Sequence, residues 1–145
     1  MTSLDANLLL YAYNEDSPQH EAAFFFLTEL GPHEDVAISE LVLAEFFTLL
    51  RNPVVLATPL SSGDAVHVIQ QYRHHSKWAL LGFGPDSAEL HDELWMLAKR
   101  ADFSRRRIYD ARTALSLRRQ GVTEFATANV RDFKGFGFKR VWNPL

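Results

Sequence analysis

The alternation of short apolar runs with longer capped helical stretches is the feature that most constrains this chain. Residues 2–5, 36–38, 78–83, 123–127 and 139–142 read as strands of only a few residues. Between them lie helices with recognisable ends. Ser17-Pro18 supplies an N-cap and first-turn proline for a helix ending at Gly31-Pro32. Ser39 caps a helix from Glu40 to Leu50, which stops before Asn52-Pro53. Ser61-Ser62-Gly63-Asp64 resembles a capping box and opens a helix to about His75. Asp86 caps another to about Ala101, and Ser104 one ending at Gly121. The run Asn7–Tyr13 is apolar with ambiguous period. Strands alternating with helices predict an α/β layer fold with a mainly parallel sheet. Its site is expected outside the carboxyl ends of the strands.

No long linker or repeat divides the 145 residues, so one domain spanning 1–145 is expected. Cysteine is absent, which excludes a disulfide framework, a thiolate metal centre and a cysteine nucleophile. No apolar run is long enough to cross a bilayer, and the start Met1-Thr2-Ser3-Leu4-Asp5 lacks the basic region of a secretory signal. A cytoplasmic protein is expected.

Three acids stand where apolar residues would serve better. Asp5 sits between Leu4 and the run Ala6-Asn7-Leu8-Leu9-Leu10. A carboxylate buried there needs a hydrogen-bond set, a cation or a metal, unless it merely caps the next helix. Glu45 interrupts a stripe formed by Leu41, Val42 and Leu49, whereas Glu40 lies in the first turn and complements the helix dipole. Asp110 shares an apolar face with Ala114 and Leu117; Arg107 or Arg112 could instead neutralise it in a structural ion pair. Asp132 follows the strand candidate at 123–127, so it emerges at the same sheet edge. Carboxylates that converge raise one another's pKa, and a divalent ion removes that cost. Oxygen-only ligands suit Mg²⁺ or Mn²⁺, and the six histidines show no metal-ligand spacing.

These residues resemble the motifs of PIN domains. Leu4-Asp5-Ala6-Asn7-Leu8-Leu9 is similar to that family's opening motif, and Ser39 to Glu45 to its second. Tyr109-Asp110-Ala111 is similar to the third, and Thr127-Ala128-Asn129 with Arg131-Asp132-Phe133 to the fourth. The closing Val141-Trp142-Asn143-Pro144 fits the VapC-like toxin branch. The resemblance implies a three-layer α/β/α sandwich and a Mg²⁺- or Mn²⁺-dependent ribonuclease with Asp5, Glu45 and Asp110 as its acidic site. It also implies a toxin held inactive by a cognate antitoxin, commonly as a homodimer. One departure stands out: Asn129 occupies a position where many members carry Asp, and Asp132 is the candidate replacement.

On this reading Asp5, Asp110 and Glu45 are metal ligands, and Glu45 alternatively orients the attacking water. Asp132 joins the catalytic set. Asn7, Thr127 and Asn129 are candidates for contacts to substrate or to the ligands themselves. Residues 1–98 carry three cations against fourteen carboxylates; residues 99–145 carry twelve against four. Arg105, Arg106 and Arg112 belong to this basic segment and are expected to hold an RNA backbone. Phe24-Phe25-Phe26 and Phe46-Phe47 exceed one helix face and suggest either a partner surface or packing on both sides. Two competing functions are a degenerate PIN domain that only binds RNA or protein, which Asn129 favours, and an aspartyl-phosphate enzyme. The second lacks a paired acid beside Asp5 and any lysine before Lys77.

Overall fold

The computed structural model describes residues 1–145. β1 (Thr2–Leu4) leads into α1 (Ala6–Tyr13) and α2 (His20–Leu30), and β2 (Ala37–Ser39) into α3 (Glu40–Leu50) and α4 (Ser62–Arg73). β3 (Ala79–Leu81), α5 (Ser87–Ala98), α6 (Arg107–Arg119), β4 (Glu124–Ala126), α7 (Val130–Phe133) and β5 (Arg140–Trp142) follow. Every strand pairing is parallel: β1 with β4, β4 with β5, and β2 with β3. A parallel bridge between Thr2 and Val36 joins the two pieces, giving the order β3-β2-β1-β4-β5. The chain leaves β1 toward β2 on one side and later returns to β4 on the other. That reversal creates a crevice at the carboxyl ends of β1 and β4.

Successive strand residues point to opposite faces, and here they enter different cores. Leu4, Ile38 and Ala126 pack with Leu8, Leu9, Val42, Leu43, Phe46 and Leu50 beneath α1, α3 and α4. Ala37 and Phe125 pack with Ala114, Leu117 and Phe133 beneath α6 and α7. Leu90, Leu94, Ala111 and Leu115 fasten α5 to α6. Helices therefore cover both sheet faces, and the chain forms the expected three-layer α/β/α sandwich.

Several local expectations shift. The ambiguous run resolves as α1, capped by Asp5, whose carboxylate accepts from the Ala6 amide at 2.8 Å. Ser17-Pro18 forms a turn before α2 rather than its cap; the Ser17 carbonyl accepts from the His20 amide at 3.0 Å. Asp86 makes no side-chain cap because its carboxylate pairs with Arg119 at 2.7 Å. Ser104 is likewise no side-chain cap, and α6 starts three residues later at Arg107. Trp78 leaves the third strand candidate: its ring is buried in the first core, and its indole donates to the Leu30 carbonyl at 3.3 Å. The short helix α7 has no counterpart in the sequence pattern. The burial of Phe133 against Phe125, ring centres 4.6 Å apart, pulls that turn onto the sheet.

Candidate active site

Asp5 stands directly after β1, where the strand hands over to α1. It is buried, and three donors fix its carboxylate. The Ala6 amide donates to Oδ1; the Thr127 hydroxyl and the Asn7 side-chain amide donate to Oδ2 at 2.7 and 3.0 Å. Thr127 lies just beyond β4, so this network ties together the two loops that flank the crevice. It continues outward. Thr127 Oγ1 accepts from the Asn129 amide at 2.9 Å, and Asn7 Oδ1 accepts from the Ala128 amide at 3.3 Å. Burial pushes the Asp5 carboxyl above the usual range, while the three hydrogen bonds pull it back. Asp5 is thus a helix cap, and it is also more than one.

Glu45 projects from the middle of α3 and Asp110 from the first turn of α6. Neither carboxylate has a hydrogen bond or an ion pair within the protein. Loss of water in the cleft, then the charges of Asp5 and Asp110, push Glu45 up to about 7. Loss of water, then Asp5 and Asp132, push Asp110 up to about 6. Arg107 offsets part of that rise but does not pair with Asp110, and Arg112 does not pair with it either. The structural ion pair that the sequence allowed is absent. Four acids from β1–α1, α3, α6 and α7 therefore sense one another across the crevice, each held at the carboxyl end of the sheet.

Glu45 and Asp110 line a cleft of about 600 Å³ together with Leu41, Arg106, Tyr109 and Arg112. Arg112 is the unusual member. Its guanidinium carbon lies 5.8 Å from the Phe83 ring centre and 5.9 Å from that of Tyr109. Its Nε is buried without an acceptor. Arg73 holds Glu40 at 2.8 Å, Arg119 holds Asp86 and Glu93, and Arg118 donates to the Val122 carbonyl although its Nε too is buried without an acceptor, whereas Arg112 makes no hydrogen bond or ion pair at all. The Arg73–Glu40 pair also explains Glu40 without any catalytic role. Arg112 is a cation braced by two rings and left with open donors in a cleft that carries carboxylates.

The remaining expected site residues fall at different distances from this cleft. Thr127 is fully buried and Asn7 is partly buried; of the two roles the sequence left open, contact to substrate or to the ligands themselves, both make the second by holding Asp5. Asn129 and Asp132 are exposed at the start of α7. Arg106 lines the cleft, whereas Arg105 is exposed in the α5–α6 connection and lines none of the three main cavities. Phe83, which braces Arg112, had no sequence signal because 29 residues separate the two.

Nowhere do three His, Asp or Glu side chains gather closely enough to cage a metal by themselves. The donors present still suit a hard divalent cation. They are carboxylate oxygens whose mutual repulsion a cation would relieve, and such an ion commonly keeps waters and takes substrate phosphate oxygens.

The phenylalanine groups divide. Phe24 and Phe25 are 59% and 66% exposed, whereas Phe46 is fully buried and Phe26 and Phe47 pack against the first core. Phe24 also lines an apolar groove of about 380 Å³ with Tyr13, Leu27, Phe46, Val68 and Tyr72.

Comparison with known proteins gives a consistent result. The PIN domain profile matches residues 3–139. The chain is 49% identical over 145 residues to Ribonuclease VapC24 of Mycobacterium tuberculosis strain H37Rv, covering all of this chain and 97% of that one. Among solved structures, it is similar to VapC20 of Mycobacterium tuberculosis, described as a sarcin-ricin loop cleaving toxin. That match has a TM-score of 0.65 and 19% identity, over 86% of this chain and 87% of that one. It is also similar to a chain of a toxin-antitoxin complex from Klebsiella pneumoniae, with a TM-score of 0.60 and 18% identity over 100% and 98%.

Proposed function

The chain belongs to the PIN-domain family, and we propose from that premise that it is a VapC-type ribonuclease, the toxin of a toxin–antitoxin pair. We take residues 1–145 as a single catalytic domain. The observation that carries the reading is the set of unpaired acids Asp5, Glu45 and Asp110. Loss of water first, and neighbouring carboxylate charge second, hold all three above the usual carboxylate range at the carboxyl edge of a parallel sheet, beside an unpaired arginine. A degenerate binding module would have no use for that repulsion.

The reaction is hydrolysis of an RNA phosphodiester and depends on a divalent metal, which we assign as Mg²⁺ or Mn²⁺. Asp5, Asp110 and Glu45 are the residues that would hold it. When bound, such an ion relieves charge on the phosphoryl oxygens and lowers the pKa of water. The chain's own groups do the rest. Thr127 and Asn7 fix the Asp5 carboxylate so that it presents one orientation to the crevice. Glu45, whose carboxylate has no partner within the protein, is placed to accept a hydrogen bond from the attacking water and orient it. Arg112 receives a phosphate oxygen on its open donors, while Phe83 and Tyr109 keep the guanidinium in place. Arg106 adds positive charge along the same cleft, and Arg105 extends it toward solvent. Tyr109, 64% exposed, offers a ring on which an unpaired base can stack. Asp132 keeps the negative field at the mouth of the site, and Asn129 supplies a neutral amide there.

The antitoxin is a protein whose apolar segment covers the groove beside Phe24 and the exposed Phe25. A second copy of the chain is a further partner, with the exposed Trp95 and Met96 of α5 as its face. No helix is long and apolar enough to cross a membrane, and we place the toxin's action in the cytoplasm, where it would meet RNA. The test is direct. Protein freed of partner should cut single-stranded RNA with Mg²⁺ or Mn²⁺ and stop in EDTA. Full cutting in EDTA would remove the metal mechanism.

A further inference from the structure

A second cavity, about 290 Å³, lies beside the acidic cleft, between the end of α5, the first turn of α6 and the loop after α7. Its walls include Phe103, Phe136 and Gly135, and Arg100, Asp102 and Arg107 reach it. Gly135 has φ +90°, in the left-handed region that favours glycine, and this bend sets Phe136 at the cavity. The Arg107 guanidinium carbon sits 5.5 Å from the Phe136 ring centre.

Glu93, which also lines the cavity, is held by Arg119 at 3.0 Å. None of Arg100, Asp102 and Arg107 takes part in any of the protein's ion pairs, although opposite charges line the same small space. Guanidiniums that only donate and a carboxylate that only accepts are thus left without protein partners at the cavity, whose walls also carry Phe103 and Phe136. Such a set does not suit a phosphate, because Asp102 would repel it and the rings offer it nothing. It suits a planar heterocycle that carries acceptors on one edge and donors on another.

The cavity also has a defined relation to the acidic site. Arg106 lines the acidic cleft and its neighbour Arg107 lines this one, so the first turn of α6 is the wall between them. Arg107 lies close enough to Asp110 for its charge to lower that carboxyl's raised pKa. An RNA strand with a phosphate at Glu45 and Asp110 would cross this turn and could drop a neighbouring base into the second cavity.

We infer that this cavity is a specificity pocket for one unstacked guanine of the substrate RNA, next to the cleaved phosphodiester. Guanine is the base that presents two adjacent N–H groups, N1–H and N2–H, to the two oxygens of a carboxylate such as Asp102. Its O6 and N7 are the acceptors that a guanidinium donates to in pairs. Phe136 and Phe103 supply the aromatic surface that replaces base stacking. The inference rests on the ribonuclease reading above and adds the chemistry by which the enzyme chooses where to cut.

The test uses the full chain with Mg²⁺ and a short single-stranded RNA of randomised sequence, whose cut ends are sequenced. Guanine should be enriched at one fixed position relative to the cut. In a matched oligonucleotide, replacing that guanine with inosine, which lacks the 2-amino group, should lower kcat/KM about tenfold for the wild-type chain. Asp102→Asn should erase the difference between guanine and inosine. Arg100→Gln should weaken the preference for guanine over adenine. Asp102 and Arg100 are exposed, so both variants should keep the wild-type Tm. A wild-type enzyme that cuts without a fixed guanine overturns the pocket and leaves the ribonuclease reading intact. Variants that keep the full preference do the same. A wild-type chain that cuts no RNA with either metal overturns the ribonuclease reading, and the pocket with it.

Discussion

Two glutamates five residues apart on α3 should respond to the same substitution with opposite signs. Glu45 rises from its ordinary 4.5 to about 7 because it is desolvated and faces Asp5 and Asp110. A shift of that size corresponds to about 3 kcal/mol of destabilisation when the group is forced to ionise in the folded state. Glu45 retains contact with solvent, and screening reduces this to about 1–1.5 kcal/mol. Because the folded pKa is the higher one, the carboxyl's favourable contribution is complete below about pH 4.5. It is lost as pH rises through 7. Glu45→Gln removes the titration, so the metal-free variant should match the wild type at pH 4.5. It should exceed it by about 3–5 °C in Tm at pH 8, using roughly 3 °C per kcal/mol. Glu40→Gln breaks the 2.8 Å pair with Arg73 and removes an acid from the first helical turn. It should instead lower Tm slightly at both pH values. Activity should invert the order, with Glu45→Gln losing at least ~100-fold in kcat and Glu40→Gln staying near wild type. Thermal melts at both pH values, run with EDTA and alongside an RNA cleavage assay, decide the matter. A Glu45→Gln protein that is less stable at pH 8, or equally stabilised at pH 4.5, would refute the repulsion on which the site assignment rests.

Arg112→Lys should raise KM about tenfold or more with little change in Tm, since an ammonium cannot lie flat between Phe83 and Tyr109 or donate in a fork; steady-state kinetics with a short RNA checks this. Thr127→Val should leave Asp5 with one donor fewer and cut kcat strongly while lowering stability by about 1–3 kcal/mol, read from kinetics and denaturant melts together. Neutralising Arg105 and Arg106 together should flatten the log–log salt dependence of RNA binding by up to about 0.7 per lost phosphate contact. A smaller share from Arg105 than from Arg106 is expected from single variants. Phe25→Ala should weaken capture by the antitoxin and leave cleavage by the free chain unchanged, whereas Phe46→Ala should destabilise the fold by about 3–5 kcal/mol, and a pull-down beside a melt separates the two.

What the sequence revealed of this site follows from what each residue must oppose. Asp5, Glu45 and Asp110 were visible because each breaks an apolar pattern, and a broken pattern is local information. The alternation of strands and helices was visible for the same reason: period and capping are read within a dozen residues. Helix starts were less legible. Asp86 carries an excellent capping side chain, yet Arg119, 33 residues later, takes its carboxylate, and no local rule anticipates that competition. Roles that depend on who sits opposite were the least legible of all. Thr127 and Asn7 look like loop residues free to meet a substrate, but pairing β1 with β4 brings Thr127 within 2.7 Å of Asp5. The parallel sheet thereby converts two loop side chains into the support for a third. Arg112 differs again: its sequence neighbours suggested an ion pair with Asp110, and the ring of Phe83, from the connection between β3 and α5, helps to hold it in the cleft without one. On the proposed reading the acids that break the apolar pattern form the site, and tertiary pairing decides which of the polar residues around them orient a carboxylate and which keep open donors in the cleft.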